Sequence, residues 1–112
     1  VPSDIEWETL IEYLGGSEVA GGKIKEKGST HWFSTTPAAT NETGFTAIPA
    51  GYRYYTGSYN SIRRYAYWWT SSESSSISAY CRNMNHGYNS VERTSSNKKT
   101  GFSVRCIKDE LK

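Results

Sequence analysis

Glutamine is absent from this chain of 112 residues, methionine occurs once, and cysteine and histidine occur twice each. Two cysteines cannot build a disulfide framework or a four-cysteine zinc site. With two histidines, two aspartates and no dense cluster of ligating side chains, the sequence offers neither a metal site nor a cofactor. No apolar run approaches the ~20 residues that span a bilayer, which excludes a membrane-spanning helix in this segment. The formal net charge of +2 sets up no field of the kind that nucleic acid requires.

Aromatic and hydroxyl side chains fill the place of what is missing. Nine Tyr, four Trp and three Phe stand beside 27 Ser and Thr, too aromatic a mixture for a disordered chain. The length is that of a single domain, 1–112. Val1-Pro2-Ser3-Asp4 has neither the basic nor the apolar region of a signal peptide. The chain enters a helix within three residues, so it reads as cut from a longer one.

Ser3 and Glu6 form a capping box, in which each satisfies a backbone N–H of the other. Trp7, Leu10, Ile11 and Leu14 follow at helical spacing and predict an apolar stripe. Glu6, Glu8 and Glu12 fall mainly on the other, solvated side. Gly15-Gly16 ends the helix. A second, shorter helix is expected over residues 17–25, where Gly21-Gly22 implies close packing. No strand precedes these glycines, and neither G-x-G-x-x-G nor G-x-x-x-x-G-K-[ST] is present.

Residues 28–52 read as a loop in which Trp32, Phe33, Phe45 and Ile48 plug into the core. Asn41-Glu42-Thr43 is a formal glycosylation sequon. Composition then shifts: Tyr, Ser and Asn supply 24 of the 49 residues from Tyr52 to Thr100. Short strands are expected at Tyr52–Thr56, Tyr67–Ser71, Ser78–Met84 and Phe102–Ile107. Early helices packed on short antiparallel strands make a loop-rich α+β fold. The core should contain Trp7, Leu10, Leu14, Trp68, Phe102 and Val104.

Several dispersed motifs carry a family resemblance. They are Val1-Pro2-Ser3-Asp4-Ile5-Glu6-Trp7, Tyr13-Leu14-Gly15-Gly16, Val19-Ala20-Gly21-Gly22-Lys23 and Thr30-His31-Trp32. The series continues with Ala39 to Phe45, Pro49 to Arg53, Tyr67 to Glu73 and Gly101-Phe102-Ser103-Val104-Arg105-Cys106. In this order they resemble the Fibrobacter succinogenes major paralogous domain family. The resemblance implies a C-type lectin-like fold related to the formylglycine-generating enzymes, in secreted or surface-anchored bacterial proteins. It also implies a missing upstream portion, so that the chain is the C-terminal part of a longer domain. The active cysteine pair of the enzyme relatives has no match in Cys81 and Cys106. The calcium-binding sugar motifs of true C-type lectins are absent as well. Fold kinship thus brings neither chemistry with it.

The stretch from Glu73 to Thr100 also resembles the variable segments written by diversity-generating retroelements. Ser74 to Ser78, Cys81 to Ser90 and Thr94 to Asn97 are dominated by residues reachable from an asparagine codon by change of its adenines. Independently, Tyr gives large contact area at low rotamer cost and Ser, Gly and Asn give adaptable hydrogen bonding, as in antibody paratopes. The candidate ligand-binding residues are Ser75, Ile77, Cys81, Asn83, Asn85, His86, Tyr88, Ser90, Thr94, Ser95 and Ser96. The bland alternative is ordinary polar strands and turns.

Strand alternation puts Tyr80, Arg82 and Met84 on one face and Ala79, Cys81 and Asn83 on the other. Tyr80 and Met84 look like the core side, which turns Cys81 and Asn83 outward. Phe102, Val104 and Cys106 look buried, Ser103 and Arg105 solvated. A Cys81–Cys106 disulfide is therefore disfavoured, despite an extracellular setting in which pairing would be usual. His31 reads as a packed or loop residue and His86 as a turn residue on the binding face. No Gly-x-Ser-x-Gly elbow supports a hydrolase. Arginines interleaved with tyrosines give a poor third reading as a single-strand nucleic-acid platform.

The sequence thus points to a non-enzymatic, extracellular or cell-surface (or phage-borne) module whose partner is a surface protein or a glycan. A structural subunit of a surface appendage, with aromatic contacts between subunits, is the competing class.

Overall fold

A computed structural model describes residues 1–109. Helix α1 (Asp4–Tyr13) begins with the expected capping box: Glu6 N–H donates to Ser3 Oγ (3.1 Å) and Ser3 N–H to Glu6 Oε1 (2.9 Å). Trp7, Ile11 and Leu14 are buried, with Leu10 partly so. Helix α2 (Ser17–Ile24) follows at once. Its glycines are there for contact. A Cβ on Gly21 would lie 2.7 Å from the carbonyl oxygens of Asn89 and Ser90, and one on Gly22 would lie 2.5 Å from that of Ala38.

Strands β1 (Tyr52–Arg53) and β2 (Tyr59–Asn60) form a small hairpin. Strands β3 (Tyr65–Glu73), β4 (Ser78–Asn85) and β5 (Glu92–Asn97) form an antiparallel sheet in that order. Gly51 bridges Ala66 and Ser103 bridges Trp68, both in parallel, so extended segments cover the outer edge of β3. The described residues make a small α+β fold with two helices and two antiparallel sheets.

Register assigns the sheet's two faces. Ala66, Trp68, Arg82 and Met84 point toward α1, and Trp7 sits between Phe45 (5.9 Å) and Trp68 (5.8 Å). Trp32 closes the core from the loop, and its indole N–H donates to the Ala47 carbonyl (3.0 Å). Arg82, 2% exposed, also lies on this side. It bonds Asp4 through Nε (3.2 Å) and Nη2 (2.9 Å) and Glu8 through Nη1 (3.0 Å), and Arg93 Nε donates to the second Asp4 oxygen (2.8 Å). Glu8 is thus part of the joint between α1 and the sheet rather than merely solvated.

Several expectations need correction. No strand forms over Phe102–Ile107. After the bridge at Ser103 the chain leaves the sheet, so Val104 is 55% exposed and Cys106 is exposed. The strand expected at Tyr52–Thr56 stops after two residues, because a turn closes from Tyr54 to Ser58 (Tyr54 N–H to Ser58 O, 2.7 Å). Strands β2 and β5 were not expected. Trp32 and Phe45 plug the loop, but Phe33 and Ile48 remain exposed. Cys81 is fully buried, and its thiol lies 3.0 Å from Thr94 Oγ1. Both cysteines are free, with buried and exposed positions opposite to those expected. Cys81 is buried because it sits on the central strand between cross-strand neighbours, Trp69 of β3 on one side and Thr94 of β5 on the other.

Candidate functional site

The face of the sheet turned away from α1 is built from alternate residues of three strands. Tyr65, Tyr67 and Trp69 come from β3. Opposite them in register stand Asn85, Asn83 and Cys81 of β4; beyond these, Glu92 of β5 pairs with Asn83, Thr94 with Cys81 and Ser96 with Ala79. The same alternation that buries Ala66, Trp68 and Thr70 leaves Tyr65, Tyr67 and Trp69 half-buried.

The rings form a continuous aromatic layer. Tyr65 stacks on Tyr67 (5.8 Å), and Tyr67 lies nearly parallel to Phe102 at 4.8 Å. Phe102 also packs on Trp69 (4.5 Å), and Tyr52 meets Tyr67 edge-on (5.2 Å). Burial raises the Tyr67 phenol above its ordinary value, and Tyr52, Tyr65 and Cys81 add to the effect. Beyond the layer Tyr54 and Tyr55 stand exposed with ring centroids 4.5 Å apart. The neighbouring Tyr55 phenol is the main cause of a raised Tyr54 value.

Two clefts flank the layer. The first, about 280 Å³, lies among Tyr52, Tyr54, Tyr55, Tyr67 and Phe102, with Ser96, Asn97 and Thr100 completing it. The second, about 290 Å³, is lined by Tyr65, Asn83, Asn85, Tyr88, Ser90 and Glu92.

The residues singled out from the sequence fall into separate groups. Asn83, Asn85, Tyr88 and Ser90 meet at the second cleft, Ser96 lines the first, and Thr94 lies on the same face. Asn83 is only 7% exposed and Cys81 is buried, so neither projects outward as expected. Ser95 points to the opposite face, where its hydroxyl accepts from Ser74 Oγ (3.1 Å). Ser75 and Ile77 are exposed in the β3–β4 turn, at the other end of β4 from His86. Eight residues of strand separate the two ends, about 25 Å at roughly 3.3 Å each. His86 is half-buried, bonded to Ser34 Oγ (2.6 Å) and edge-on to Phe33 (5.2 Å). A single contiguous surface of Ser75, Ile77, Cys81, Asn83, Asn85, His86, Tyr88 and Ser95 is therefore not formed.

Sequence reasoning missed Tyr52, Tyr54, Tyr55, Tyr65, Tyr67 and Phe102 as members of this face. The signal was present: in Tyr65-Ala66-Tyr67-Trp68-Trp69-Thr70 large aromatics alternate with small or core residues.

The connection from β4 to β5 is held largely through its main chain. Gly22 N–H donates to the Asn89 carbonyl (3.3 Å), Val91 N–H to Ser17 O (2.8 Å) and His86 N–H to Arg64 O (2.9 Å). Lys25 is buried and its ammonium donates to the carbonyls of Asn85 and Tyr88 while lying 4.8 Å over the Trp32 ring. Burial lowers its pKa from 10.5 to about 8. Tyr88 itself stays exposed.

Among the described residues no group of three or more His, Cys, Asp and Glu has the geometry to hold a metal, and no helix is long and apolar enough to cross a membrane. No curated protein and no solved structure matches the chain. The sequence model of the Fibrobacter succinogenes major domain matches residues 1–108, and the chain belongs to that family.

Proposed function

We propose that this domain is a non-enzymatic ligand-binding module of a secreted or surface-anchored protein, and that the sheet face away from α1 is its ligand face. The observation that carries the reading is the half-buried aromatic layer with a polar-lined cleft on either side. Tyrosine is favoured at recognition surfaces because it adds contact area with few rotatable bonds. A C-type lectin-like arrangement, two helices followed by antiparallel strands, is the finer fold reading that accompanies it. The main-chain anchoring of residues 86–91 supports a variable segment there. Side chains such as Tyr88 are exchangeable when the backbone is held by carbonyls and amides.

The test uses the intact chain and a variant carrying Tyr54→Ala and Tyr88→Ala. Both are screened against immobilised oligosaccharides and a random-peptide library. The reading predicts a probe held by the parent and lost by the variant, whose melting midpoint is unchanged because both side chains are exposed. A variant that binds as the parent does, or a parent that holds no probe, contradicts it.

A second reading, a subunit of a surface appendage, is supported by one patch. Exposed Ile48 and Ile62 line a cleft of about 330 Å³ with Pro49. Concentration-dependent sedimentation that Ile62→Ser abolishes would favour it.

A further inference from the structure

We infer that the first cleft binds an uncharged carbohydrate unit without calcium, an inference that rests on the ligand-face reading above. Its volume of about 280 Å³ is at the lower bound of ligand sites, roughly 300 Å³, so it admits one small unit rather than a folded partner. Five aromatic rings contribute to its lining, which suits the flat C–H face of a pyranose. No lysine, arginine, aspartate or glutamate lines it, so neither an acidic nor a basic ligand would find a counter-charge there.

The polar lining carries the rest of the argument. Tyrosine, serine and threonine hydroxyls and the Asn97 amide each both donate and accept hydrogen bonds. A sugar hydroxyl has the same dual character and can satisfy every one of them. A proline-rich peptide, the other ligand that docks on aromatic grooves, presents carbonyl acceptors and leaves accepting groups unanswered. Calcium-bridged sugar binding requires carboxylates, and the lining has none. The second cleft, reached across the Tyr65–Tyr67 stack, gives a chain of sugars somewhere to continue.

The experiment is amide chemical-shift mapping of the intact chain, titrated with neutral methyl glycosides and their trisaccharides, with and without EDTA. The inference predicts that at least one glycoside shifts the amides of Ser96, Asn97 and Phe102, with no effect of EDTA. Its trisaccharide should also shift Tyr88 and Ser90. Tyr54→Ala should weaken binding tenfold or more, and Tyr54→Phe should weaken it less, with melting unchanged in both. Shifts that vanish in EDTA, or no shifts from any glycoside, overturn it. Proline-rich peptides that shift the same amides when no glycoside does overturn the carbohydrate inference and leave the ligand-face reading standing. Probes of both kinds that map only outside this face overturn both.

Discussion

Asp4 receives two arginines, Arg82 from the middle of the sheet and Arg93 from its edge strand. Arg82 cannot be hydrated where it lies, so its ion pairs are the condition for burying it. Asp4→Ala should therefore destabilise the fold by about 3 kcal/mol, measured as a lower denaturation midpoint. An unchanged midpoint would show that Glu8 alone suffices. Trp7→Ala should cost about 3–5 kcal/mol, because Trp7 is enclosed by Phe45 and Trp68. At this scale the sequence revealed Trp7 through helical spacing, and it revealed the Ser3–Glu6 cap. It did not reveal Arg82, since pairing with residues 78 and 74 positions away leaves no local pattern.

Helix α2 is short and glycine-interrupted, and glycine costs about 1 kcal/mol relative to alanine in a helix. The cost is offset by what the glycines admit, the carbonyls of Asn89 and Ser90 on one and Ala38 on the other. Gly22→Ala should lower the melting midpoint markedly, whereas Tyr88→Ser in the loop should leave it within a few degrees, about 0.5 kcal/mol. A tolerated Gly22→Ala would refute the close-packing account. Elements with periodicity were legible: α1, α2, the centre of β3 and nearly all of β4. Strand β5 was not, because Glu92-Arg93-Thr94-Ser95-Ser96-Asn97 has no apolar alternation and owes its form to pairing with β4. The Phe102–Ile107 expectation failed for the opposite reason. Its alternation is strand-like, yet the β3 edge offers it a partner only as far as Ser103.

Over the whole molecule one sheet separates two tasks, with ion pairs and core on the helix side and tyrosines and amides on the other. The candidate site was half legible for that reason. Composition marked the stretch from Tyr52 to Thr100, but the face followed only from register, which put Phe102 with Tyr67 and sent Ser95 to the opposite side. The titrating groups give a global check. Between pH about 8 and 10.5 the unfolded chain holds a proton on Lys25 that the folded chain has lost, so stability should rise with pH. Tyr67 acts in the reverse sense. Its raised value keeps the proton on the folded chain above the ordinary 10.0, so stability should fall as pH rises past that point. A melting midpoint that climbs above pH 8 and then declines is expected, with the climb lost in Lys25→Met. The most direct measurement of the central claim is a paired scan of melting midpoint and trisaccharide affinity across both faces of the sheet. Tyr54→Ala, Tyr88→Ala and Ser96→Ala should lose affinity with midpoints near the parent's, whereas Trp68→Ala, Arg82→Ala and Met84→Ala should lose the fold. Midpoints that fall equally on both faces, or affinity untouched by the first three, would contradict it.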